Sequence, residues 1–114
     1  MPLLKFFSRA PLRMDVAAVH LQLSKSWNVP AELNTTPLQF VFTTQAEMYP
    51  SAACFIDVRA KAKPERTPAY LEERMKELTE IVRQATGNPS DTVRVRIELF
   101  DPSLSYSKCF DAEL

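Results

Sequence analysis

The chain has 114 residues, 46% of them hydrophobic and 25% charged, and its 14 Lys and Arg balance its 14 Asp and Glu. That composition fits one compact domain, residues 1–114, with a packed core. The neutral balance argues against a nucleic-acid or membrane-surface partner, whose signature is a basic excess, and no stretch approaches the ~18 apolar residues of a membrane span. In chain order, "PLLKFF" predicts a first strand over residues 2–7, broken by "SRAPL". A helix is expected over residues 13–27, with Val16, Val19, Leu23 and Trp27 at spacings of three and four on its apolar stripe. Asp15 stands near its start, where a carboxylate suits the helix dipole. His20 lies beside the stripe and reads as a half-buried helix residue. "NVPAELN" ends the helix, and "LQFVFTT", residues 38–44, alternates Leu38, Phe40 and Phe42 against Gln39, Val41 and Thr43, as a strand does. After the connection "QAEMYPS", "AACFIDV" predicts a third strand over residues 52–58, running into "RAKAKPERT". Thr67 caps a second helix with Pro68 at its first position. Its buried stripe is Leu71, Met75, Leu78, Val82 and Ala85, and Gly87, the one glycine in the chain, falls at the left-handed C-terminal cap. Residues 92–99 alternate Val93, Val95, Ile97 and Leu99 against Thr92, Arg94, Arg96 and Glu98, a fourth strand. A polar tail follows.

The order is β-α-β twice, with halves at about residues 2–44 and 52–100. Such a repeat suggests two crossover units sharing one sheet, with both helices on one face. The other face and the sheet edges then await a partner subunit. Two folds satisfy this order. One is the ferredoxin-like sandwich, in which the first strand pairs with the third and fourth. The other is the tautomerase fold, a four-stranded mixed sheet of unsplit βαβ units that assembles as a trimer. Periodicity does not separate them.

Several chemistries are excluded or disfavoured. His20 is the only histidine, so a His-based metal cluster is ruled out and a His-centred triad has little support. A single glycine builds no phosphate loop, and no cofactor is expected. Cys54 and Cys109 lack CxxC spacing and read as reduced packing thiols. The short apolar start, followed by Arg9 and Arg13, is no secretory h-region, so a cytoplasmic location is expected.

Two features carry chemistry. Pro2 is either a plain strand starter or, once Met1 is removed, a free secondary amine. An α-amino group titrates near 7.7–8.0. Burial against Leu3, Phe6 or Phe42, with a cation nearby, lowers that value and makes a workable general base. The second feature is "RAKAKPER", where Arg59 and Lys61 fall on one face if the chain stays extended, just past the expected strand end. Arginine offers a two-pronged grip on a carboxylate, and lysine a point charge. Lys63 and Arg66 are weaker candidates for that grip. A solvated charge run is the competing reading. Arg94 and Arg96 share a strand face and read as exposed or interface residues. Tyr106 and Phe110 are candidates for an apolar or hydrogen-bonding wall, against ordinary packing.

Pro2 at the head of the first strand and the run "ERMKELTEIVRQATGNPSDTVRVRIEL" resemble the tautomerase superfamily, which includes 4-oxalocrotonate tautomerase, malonate semialdehyde decarboxylase, the chloroacrylic acid dehalogenases and macrophage migration inhibitory factor. "MYP" before the third strand and Arg59 at its end are similar to a bacterial branch of it. The resemblance implies a homotrimeric tautomerase or isomerase using Pro2 as general base, or as general acid in decarboxylase- or hydratase-like chemistry, on a small keto or unsaturated carboxylate. It implies Arg59, and next Lys61, as substrate-binding residues, with Arg13 a candidate reaching over from a neighbouring subunit. No residue matches the dehalogenases' acidic water-activating group, and Asp57 does not stand where the decarboxylase aspartate would. A catalytically silent scaffold or small-ligand-binding module of this fold, and a ferredoxin-like sensor, remain the alternatives.

Overall fold

The computed structural model describes residues 2–30, 38–44, 47 and 52–106. Its elements are β1 (Leu3–Ser8), α1 (Val16–Ser26), β2 (Gln39–Thr43), β3 (Cys54–Lys61), α2 (Pro68–Thr86) and β4 (Val93–Phe100), followed by a short 3-10 turn at Pro102–Leu104. The sheet order is β2-β1-β3-β4. β1 pairs with β2 and β3 with β4 in parallel, while the central β1–β3 pair is antiparallel. β1 therefore has no contact with β4 in the sheet, which excludes the ferredoxin-like arrangement and leaves the tautomerase type.

Strand alternation divides the sheet into two faces. Leu4, Phe6 and Ser8 of β1 and Cys54, Ile56, Val58 and Ala60 of β3 are buried beneath the helices. They meet Leu23 and Trp27 from the first helical segment and Leu78, Ile81 and Val82 from α2. Each fully buried aliphatic or aromatic side chain stabilises the fold by roughly 1.5–3 kcal/mol relative to exposure. Of the expected α2 stripe, Leu78 and Val82 are buried while Leu71, Met75 and Ala85 are only half-buried, and Ile81, beside Val82, is buried as well.

α1 begins three residues later than its sequence pattern predicts. The Asp15 carboxylate accepts a hydrogen bond from the Ala18 amide at 3.1 Å, so Asp15 is the cap and not a member of the first turn. Val16, expected on the buried stripe, is 43% exposed at the first turn. α2 matches its signals: Thr67 accepts from the Tyr70 amide, Pro68 follows, and Gly87 closes the helix at φ 73°. There a side chain would strain the backbone.

α1 and α2 are joined side by side through polar groups. Arg74 donates to the Ser26 carbonyl at 2.7 Å and the Tyr70 hydroxyl donates to the same oxygen, satisfying the end of α1. The Ser26 hydroxyl donates to Glu77 at 2.6 Å and Gln22 reaches the same carboxylate. His20 bridges α1 to the entrance of β2, its Nε2 lying 3.2 Å from the Leu38 carbonyl and its ring edge-on to Phe40.

β3 departs from expectation in the way that matters most for function. It starts two residues late and runs three residues further, through Lys61. Ala60 is fully buried, and β4 continues the ladder with Ala60 opposite Leu99 and Lys61 opposite Phe100. "RAK" is thus strand, with Arg59 and Lys61 projecting from the helix-free face. Asp57 projects there too and forms a two-pronged pair with Arg96 at 3.0 and 3.1 Å. "MYP", Cys109 and Phe110 lie outside the described residues.

Candidate functional site

At the end of the sheet where β1 begins and β3 finishes lies an open cleft of about 700 Å³. Leu3, Arg59, Lys61, Phe100, Leu104 and Tyr106 are among the residues that line it. The volume is within the range of small-molecule sites. Antiparallel pairing puts Leu3 directly opposite Arg59. Extension of β3 carries Lys61 two residues onward on the same face, and parallel pairing sets Phe100 beside it. Two cations thus form one wall. The other is largely apolar, built from Leu3, Phe100 and, in the 102–106 segment, Pro102, Leu104 and Tyr106, with the polar Ser105 among them. Asp101 holds that segment in its turn: its carboxylate accepts from the Ser103 amide at 2.9 Å and hydroxyl at 2.8 Å. These bonds lower the Asp101 pKa below the usual carboxylate value.

Arg59 is exposed, and its guanidinium carbon sits 5.2 Å from the centroid of the Phe100 ring. Lys61 is exposed as well. Leu104 is 79% exposed and Tyr106 93%, so the apolar wall stands open along one side.

Pro2 comes to the same end of the sheet. Its carbonyl accepts from the Gln39 amide at 3.0 Å, and one further step of the β1–β3 register sets it opposite Ala60. Its ring is buried, below 2% exposed. By strand parity it shares the helix side with Leu4, and it does not itself line the cleft, whereas Leu3, one residue on, does. Met1 lies outside the described residues.

The remaining candidates separate. Arg13 stands at the opposite end of the sheet, beyond Ser8 and Cys54, five residue steps or about 16 Å along β1 from Leu3. There it lines a second cavity of about 570 Å³ with Arg9 and Asp91. One chain does not bring Arg13 to the cleft. Arg66 turns inward. It is 5% exposed, donates to the Lys61 carbonyl at 2.7 Å, and sits 5.3 Å from the Trp27 ring centroid. Desolvation lowers its pKa. It is a structural brace under the turn after β3 and not a ligand group. Lys63 is exposed in that turn and does not line the cleft. Phe100 was not among the residues singled out from sequence. The signal for it was strand parity: it continues the series Arg94, Arg96, Glu98 on the helix-free face.

No family model matches the chain, and no curated protein sequence does. Solved structures match by fold. A macrophage migration inhibitory factor homologue from Prochlorococcus marinus aligns with a TM-score of 0.65 at 14% identity, over 93% of this chain and 95% of that one. The macrophage migration inhibitory factor from Trichinella spiralis gives 0.73 at 9% identity, over 92% and 95%. A domain of unknown function from Sebaldella termitidis gives 0.64 at 13%, over 94% and 95%. At these identities the likeness establishes the fold, which is the one the sequence resemblance implies.

Proposed function

We propose that the chain is a tautomerase-type enzyme in which the amine of Pro2, bared by removal of Met1, moves a proton on a small keto or unsaturated carboxylate. The observation that carries this reading is the meeting of the head of β1 with the Arg59–Lys61 wall at one end of the sheet. The shared fold with macrophage migration inhibitory factor homologues supports it. Arg59 grips the substrate carboxylate with two N–H donors and Lys61 adds a point charge. Both cations, and the apolar surroundings of Pro2, disfavour the protonated amine and lower its pKa towards neutrality. The neutral amine takes a proton from the carbon beside the keto group. The resulting ammonium returns it to the enolate oxygen, and the amine is regenerated. Self-association as a homotrimer belongs to the same reading. It covers the helix-free face and the strand edges, and allows Arg13 of one subunit to approach the cleft of another.

A second reading, a silent scaffold or binding module of the same fold, is favoured by one observation: Pro2 is buried and does not line the cleft. Intact mass after exposure to a 3-halopropiolate separates the two. A mass lacking Met1 and carrying one adduct that Pro2→Ala abolishes supports the enzyme. An unmodified chain retaining Met1 refutes it. With phenylpyruvate as the assay substrate, Pro2→Ala removes activity. Arg59→Ala lowers kcat/KM by about 10- to 100-fold, since a hydrogen bond to a charged group contributes ~1.5–3 kcal/mol.

A further inference from the structure

Arg59 has two neighbours on β4 that compete for its guanidinium. Glu98 is its direct partner in the parallel ladder, as Arg96 is the partner of Asp57 one row back. In that adjacent row Arg96 joins the carboxylate in a two-pronged pair, and its own ring contact, with Phe55, is longer, 5.9 Å to the centroid. Arg59 does not do the same: among the described residues it forms no ion pair, and its guanidinium lies over the ring of Phe100, two residues beyond Glu98. The difference has a chemical consequence. A carboxylate partner occupies the N–H donors that would grip a ligand acid. A ring contact occupies none of them.

We infer that Phe100 is a positioning residue for anion binding: it draws Arg59 off Glu98 and holds its donors towards the cleft. This rests on the reading of Arg59 as the acid-gripping group. Glu98 is then the off-position of the same side chain. Replacing Phe100 with an aliphatic residue lets Arg59 fall back on Glu98, so the ligand has to displace an internal carboxylate before binding.

The test is calorimetric titration of 3-phenylpropanoate, a saturated and unreactive aryl carboxylate, into the full chain and its variants. Phe100→Leu weakens binding by about two- to fivefold, the range expected for loss of an exposed cation–ring contact. Phe100→Tyr, which keeps a ring, binds as wild type does. Glu98→Gln in the Phe100→Leu background restores most of the affinity. Loss of direct contact between ligand and ring, or a general loss of stability, is not rescued by Glu98→Gln. The ring-current displacement of the Arg59 Nε–H resonance disappears in Phe100→Leu without any ligand present. Wild-type affinity in Phe100→Leu, or a double variant as weak as the single, overturns the inference. Arg59→Ala is run alongside. If it binds 3-phenylpropanoate as wild type does, the acid-gripping role of Arg59 fails and this inference with it. If it binds weakly while Phe100→Leu does not, only the role of Phe100 fails.

Discussion

Arg66 offers a direct test of how the end of β3 is held. Its guanidinium is almost wholly buried, donates to the Lys61 carbonyl at 2.7 Å and rests against Trp27. A hydrogen bond from a charged donor contributes ~1.5–3 kcal/mol. A largely desolvated cation–ring contact adds ~1–2 kcal/mol. Against these stands the cost of taking the charge out of water, the same effect that lowers the Arg66 pKa. Setting that cost at ~1–2 kcal/mol leaves Arg66→Ala destabilising by about 0.5–4 kcal/mol, with a central value of ~2.3 kcal/mol. For 114 residues, at ~2.1 cal/mol/K of unfolding entropy per residue, this lowers Tm by about 10 °C. Thermal melts followed by circular dichroism measure it. Arg66→Met is the discriminating variant, because it keeps the apolar stem on Trp27 and removes only the charge and its hydrogen bond. A loss between zero and the alanine value is expected. A methionine variant as stable as wild type or more so means that desolvation outweighs the two contacts, and the reasoning fails.

Two further outcomes follow from titratable groups. Burial raises the Cys54 thiol to about 11, so at pH 8 it stays protonated and its alkylation in the native protein is far slower than in denaturant; equal rates refute its burial. The Asp101 pKa is depressed by its bonds to Ser103, so its contribution to holding the 102–105 turn is present above the ordinary aspartate value near 4 and is lost as pH falls through the lower folded value. The Ser103 amide resonance should therefore hold steady from neutral pH down to about 4 and shift only below it; movement around pH 6 contradicts the assignment.

What the one-dimensional pattern determined is particular. Period-two alternation placed the second and fourth strands, because a residue buried on one face recurs at every second position, and short apolar runs between breakers marked the first and third. Thr67, Pro68 and Gly87 marked both ends of α2, because capping is local chemistry. Residue type nominated Pro2, Arg59, Lys61 and Tyr106, since few side chains serve as an amine base or grip an anion. The tertiary structure decided what depends on neighbours distant in sequence. The strand order excluded the ferredoxin-like sheet, a choice between pairings that satisfy the same alternation. β3 reached Lys61 only because β4 offered partners for Ala60 and Lys61. Arg66 left the group of ligand candidates because Trp27, thirty-nine positions earlier, provides a ring to rest on. Arg13 went to the far end of the sheet because β1 runs away from the cleft. Local rules act over a few residues of chain. Which cation faces a ligand and which braces the fold depends on contacts the chain makes only once it has closed on itself.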